Sequence, residues 1–194
     1  MARRRTATAR RSTVVRTLHD VGLAAWFGGS LMGVIGLNGA SGVVADPTDR
    51  LPVATAGWAR WAPLQATAIG AHLLGGAVLL HRNRGRAAHQ AGVRGNTTAK
   101  LAITGAALLA TARVGALGAK TTTIGSVPTH NGVTPVAATP GDAAAVLHQL
   151  RVWQWAPPLL TGVLIALTSQ QGELQKPDQV TTGLARTLLI RTRR

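Results

Sequence analysis

Four stretches of this sequence are apolar for about the length that crosses a bilayer, and polar residues gather between them. A helix rises about 1.5 Å per residue, so about 20 apolar residues span a hydrocarbon core of roughly 30 Å. The stretches run over about 14–39, 61–81, 101–119 and 143–168. Each is apolar nearly all round rather than along one stripe, and none alternates with the period of two that a barrel strand requires. The pattern predicts an all-α fold, a four-helix transmembrane bundle over 14–168 between a basic tail at 1–13 and another at 169–194. A helix satisfies its own backbone groups in lipid, which makes it the element expected there.

The segment 120–140 is rich in Thr, Gly and Pro, which predicts an irregular exposed loop. Asp142 then stands where it can cap the fourth helix after Pro140 and Gly141. Pro157 and Pro158 remove backbone donors and crowd the preceding turn, predicting a kink around Trp153 to Ala156. Val43-Val44-Ala45 has the form of a signal-peptide cleavage site. The apolar run before it exceeds the 7–15 residues, roughly, of a signal segment, so the first helix is expected to be retained.

Charge gives the bundle an orientation. Basic residues number 21 against six acids. Sixteen of them lie in the loop after the second helix and in the two tails, counting Arg16 at the start of the first helix, four lie in or around the other loops (Arg50, Arg60, Lys120 and Arg151), and Arg113 falls within the third helix. The basic side of a membrane protein is the cytoplasmic one, which predicts a multi-pass plasma-membrane protein with both termini inside. The basic tails suit anionic lipid, at about 1 kcal/mol per Lys or Arg near the surface. No aromatic residue interleaves with the arginines before Trp26, which argues against nucleic acid as the partner. The absence of cysteine excludes disulfides and thiolate sites.

A few residues could carry chemistry. Gly29 and Gly33 have GxxxG spacing, continued by Gly36 and Ala40, and predict close helix packing within the bundle or between copies. Trp58, Trp61, Trp153 and Trp155 fall at the predicted outer helix ends, as an interfacial belt would. His72, about 11 residues into the second helix, is expected near the midplane. It serves there either as a hydrogen-bonded structural residue or as a cofactor ligand or proton relay. His19, Asp20 and His81, with Glu173, lie near the cytoplasmic boundary and offer two imidazoles and a carboxylate to a divalent metal. Arg113, seven residues from Lys120, is expected about 10 Å below the outer boundary. It either snorkels or pairs with Asp46, Asp49 or Asp142, or it joins Gln65, His148, Gln149 and Arg151 in an anion or substrate site.

Leu18-His19, then Trp26-Phe27-Gly28-Gly29, resembles the His-x6-Trp-x-Gly-Gly opening of the CopD-type copper-resistance membrane proteins, over about a dozen residues. The remainder resembles uncharacterised four-helix membrane proteins of actinobacteria, a resemblance that implies no activity. With two Met and no Cys, the chain departs from what a Cu(I) site prefers. No phosphate-cradling loop, paired-carboxylate site or zinc spacing is present, so the sequence specifies no enzyme and calls for no cofactor. The leading expectation is a structural or accessory bundle, acting on a membrane-protein partner or a second copy. The alternative is a small transporter or a metal- or haem-handling protein that uses His19, His72 and Arg113.

Overall fold

The computed structural model of this chain describes residues 2–89 and 91–173, with side chains at 13–82, 84 and 94–170. The side chains of the first basic tail before residue 13, Glu173 and most of the second tail lie outside the described residues. The fold is all-α apart from one small hairpin. Helix α1 (Ala2–Met32) continues through a π-helical turn (Gly33–Leu37), the short α2 (Asn38–Ala40) and a 3-10 turn (Ser41–Val43). Then follow α3 (Arg50–His89), α4 (Ala91–Ile124), strands β1 (Thr129–Asn131) and β2 (Thr134–Pro135), α5 (Gly141–Trp153) and α6 (Ala156–Glu173).

Three helical segments are long and apolar enough to cross a membrane: Thr13–Val43, Arg50–Arg82 and Arg94–Ile124. In the apolar 18-residue stretch of each, only 33% of the first and 17% of each of the others is buried, so their apolar side chains point mostly outward. Leu64, Leu74 and Leu109 are among the exposed ones, as is Val163 on α6. Exposed apolar surface on this scale marks a face meant for something other than water.

α1 packs on α3 and α6, and α4 on α3 and α6, which closes a ring of four helices. Each adjacent pair is antiparallel. His19 faces His72 while Asn38 faces Trp58, and Asn96 bonds to Leu167 while Arg113 bonds to Gln149. We call the end that holds Arg16 and Lys100 proximal and the hairpin end distal.

Several boundaries differ from the sequence expectation. α3 begins at Arg50 rather than near 61. Pro52 lies in its first turn, where a missing N–H costs nothing, and Leu51 and Ala54 are buried. Arg50 is no loop residue: its guanidinium donates to the carbonyls of Val44, Thr129 and His130 at 2.9, 3.1 and 3.3 Å. The fourth segment is two helices, interrupted at Gln154 and Trp155, where the proline pair forbids a continuous ladder. Asp142 sits inside the first turn of α5 rather than at its cap, where its charge opposes the helix dipole.

The 120–140 segment is not an exposed irregular loop. α4 runs to Ile124, and the hairpin folds over the distal end of the ring. Val127 packs with Leu51, Ala143 and Leu147, and Val133 packs with Leu117 and Leu150. Thr129 is fully buried and its N–H donates to the Pro47 carbonyl at 3.0 Å. At the turn, a Cβ on Gly132 would lie 2.9 Å from Asn38 Oδ1 and 3.2 Å from Ser41 Oγ, so only glycine seats the hairpin this deeply. Beside it, two hydrogen bonds from Thr48 hold the exposed Asp46 carboxyl below the usual carboxylate range.

Asn38 joins the distal half together. Its Nδ2 donates to Gln154 Oε1 at 2.7 Å and its Oδ1 accepts from Trp58 Nε1 at 2.9 Å, while its carbonyl accepts from Ser41 Oγ at 2.8 Å. Asn38→Leu keeps the volume but strands the Trp58 N–H and the Gln154 amide. Removing one partner of a buried pair costs about 1–3 kcal/mol, and unfolded helices in lipid find other partners, so we expect a loss of about 2 kcal/mol. Unfolding of the variant in mixed detergent micelles measures it, and an unchanged midpoint would rule out a structural role for the network.

Candidate functional site

Close approach of α1 and α3 builds the site. A Cβ on Gly22 would lie 2.5 Å from the Ala68 carbonyl oxygen and 2.7 Å from the His72 nitrogen, and one on Gly75 would lie 2.8 Å from His19 Cβ. These two glycines let the backbones meet. Gly29 and Gly33, the pair expected to do so, instead lie under the indole rings of Trp61 and Trp58. That also corrects the reading of four belt tryptophans. Trp58 and Trp61 turn inward, because the small residues of α1 leave room for a ring, while Trp153 and Trp155 remain about two-fifths exposed at 44% and 41%.

Where the helices touch, His19 and His72 stack with ring centroids 4.2 Å apart and planes tilted by 37°. Both are buried, at 6% and 4% exposure. His72 Nδ1 donates to the His19 carbonyl at 3.2 Å. A carbonyl only accepts, so Nδ1 carries the proton and Nε2 is left for another partner. His19 Nδ1 bonds to Asp20 Oδ1 at 2.8 Å, which orients its ring in the same way. Trp26, fully buried, sets its edge toward His72 with centroids 6.2 Å apart, and its indole N–H donates to Thr111 Oγ1 at 3.2 Å.

The sequence places His72 near the midplane, away from His19. The structure puts the two side by side. Because α3 begins at Arg50, the middle of the Arg50–Arg82 segment lies before His72, which shifts that residue toward the proximal end. His81 does not join the pair. It lies nine residues further along α3, about 13 Å by helical rise, and its ring nitrogens are 3.0 Å from Arg84 on the same helix. The trio of His19, Asp20 and His81 is therefore not assembled, and among the described residues no group of three His, Asp or Glu side chains could hold a metal ion.

The structure holds two cavities, and Trp26 contacts a lining residue of each, His72 and Thr111. The proximal one, about 350 Å³, is lined by Arg16, His19, Asp20, His72 and Lys100 among others. The distal one, about 320 Å³, is lined by Ser30, Gln65, Thr111 and Gln154 with small apolar residues. The distal polar groups largely satisfy one another: Gln65 donates to Ser30 at 3.2 Å, and Thr55 and Thr121 hydroxyls are 3.1 Å apart. Arg113 does not gather with Gln65 and His148. Its guanidinium donates to Gln149 at 2.7 Å on the exposed α4–α5 surface, Gln65 faces inward, and His148 is exposed. Asp46 and Asp142 are engaged locally and are not its partners.

Sequence reasoning gave no signal for Arg16, Lys100, Asn38 or Gln154 as site residues. Arg16 and Lys100 read as flanking charges, and only the helix pairing places them around one cavity with the histidines. Compared with family models, with curated proteins and with solved structures, the chain matches none.

Proposed function

We propose that this chain is a multi-pass protein of the plasma membrane, with both termini in the cytoplasm, and that it is a ligand-handling bundle of the small-transporter kind. Four crossings are made by α1, α3, α4 and the α5–α6 pair together. The outward-facing apolar side chains support the membrane setting, and the distribution of Lys and Arg supports the orientation. The functional reading rests on one observation: five ionisable side chains from α1, α3 and α4 surround one cavity, and two of them are buried imidazoles. Ionisable groups in a membrane-embedded helix are costly and mark pathways or sites. A purely structural or accessory bundle accounts for the Asn38 network, which glues helices, but it gives no reason for the histidine pair.

The chain has no cysteine, so single cysteines report accessibility without background. A membrane-impermeant maleimide is expected to label Thr98→Cys and Ala77→Cys from the cytoplasmic side, and His130→Cys and Ala138→Cys from the outside. Ala77 lines the proximal cavity, so its labelling reads whether that cavity holds water. Reaction only after denaturation would return the chain to the structural reading. The opposite sidedness would overturn the orientation, and a C-terminal reporter active only outside would reduce the crossings to three.

A further inference from the structure

We infer that the proximal cavity binds a phosphate-bearing anion, with Arg16 and Lys100 supplying the charge and the His19–His72 pair supplying its inner wall. This rests on the ligand-handling reading above and names the class of ligand. Among the described residues, Arg16 and Lys100 are the basic side chains of the cavity lining and Asp20 is its one carboxylate. Asp20 and Arg16 both lie within electrostatic range of Lys100, and His19, Lys100 and Asp20 within range of His72, so the five groups share one field. Two basic side chains against one carboxylate bias that field toward positive charge. Such a field opposes a divalent cation and attracts an anion.

The histidines fit the same ligand. Each has Nδ1 committed, one to Asp20 and one to the His19 carbonyl, which leaves each Nε2 for a ligand. An imidazole that takes up a proton becomes a donor at both nitrogens. An unprotonated Nε2 instead accepts a hydrogen bond from a ligand hydroxyl, as on a glycerol headgroup or a protonated phosphate.

Shape points to the source of the phosphate. The cavity volume of about 350 Å³ is in the range of small-molecule sites, about 300–1,000 Å³. Its rim carries Leu73, Leu80 and Leu101, exposed at 39%, 39% and 56%. Charged groups beside exposed apolar side chains in one cavity match a headgroup with its acyl chains. Basic pockets between helices on the cytoplasmic side take anionic lipid headgroups in this way. Free phosphate would use the charged groups alone.

The test uses the full chain carrying Ala77→Cys, purified in mild detergent. Phosphatidylglycerol is expected to slow maleimide labelling, phosphatidylcholine to have little effect, and one phosphatidylglycerol per chain to survive into native mass spectrometry. The Arg16→Gln, Lys100→Gln double variant should weaken protection about tenfold or more, as loss of charge-assisted bonds does. Lys100→Arg should retain it, and Arg113→Gln, at the distal end, should leave it unchanged. Protection by inorganic phosphate equal to that by the lipid would uphold the anion site and assign it to a soluble ligand. If the double variant fails to fold, the comparison of the two lipids and phosphate on the Ala77→Cys chain decides alone. No protection by either anion, or equal protection by both lipids, overturns the inference. Failure of Ala77→Cys to label from the cytoplasm without any anion would instead overturn the reading on which it rests.

Discussion

Trp26→Ala is expected to cost about 3 kcal/mol and to join the two cavities into one. In lipid a separated helix keeps its apolar side chains in an apolar solvent, so the transfer part of a core truncation largely falls away. The cavity part remains: removing roughly 140 Å³ at about 24 cal/mol per Å³ of unrelaxed space gives about 3 kcal/mol. Trp26 is fully buried and contacts a lining residue of each cavity, His72 of the proximal one and Thr111 of the distal one. Trp26→Phe keeps most of the volume and loses only the N–H bond to Thr111, so about 1 kcal/mol is expected. Unfolding free energies in bicelles check both values. If alanine proved as well tolerated as phenylalanine, Trp26 would not be the partition between the cavities.

Gly22→Ala should cost about as much, around 3 kcal/mol, for the opposite reason, since it adds a methyl group where backbone meets backbone. The new Cβ would stand 2.5 Å from the Ala68 carbonyl oxygen and 2.7 Å from the His72 nitrogen, and neither atom can rotate aside. Ordinary carbon–oxygen contact is about 3.3 Å or more, so α1 and α3 must part by nearly an ångström. The His19–His72 stack, held at 4.2 Å by the same approach, loosens with them. Gly28→Ala is the control. No heavy atom lies within 4 Å of its Cβ position, and alanine gains about 1 kcal/mol of helix propensity, so that variant should be neutral or stabilised. Equal effects at the two glycines would mean that the helices do not meet at Gly22.

Much of the fold was legible along the chain. The helical segments, the break before Pro157 and the outward apolar faces are local: a segment's own hydropathy and its missing N–H groups determine them. The site was less legible. Gly29 and Gly33 had the familiar spacing, yet Gly22 and Gly75 make the close contact, because the spacing marks a small face without saying what will lie on it. Val127 and Val133 are single apolar residues in a polar run, and their burial comes from surfaces on α3, α4 and α5 that no local pattern predicts. Arg50 read as a loop charge because its carbonyl acceptors include residues about 80 positions away.

The sequence by itself determined that the apolar segments are helical and where positive charge gathers, since backbone hydrogen bonding and hydropathy belong to each segment alone. The tertiary structure decided which side chains meet. His19 and His72 are 53 residues apart, and Asn38 and Gln154 are 116 apart. Their meeting depends on the register of one helix against another, and that register is set by backbone contact at Gly22 and Gly75 and by indoles seated on Gly29 and Gly33. Van der Waals packing is the force that selects a register in lipid, and it acts only once two surfaces are brought together.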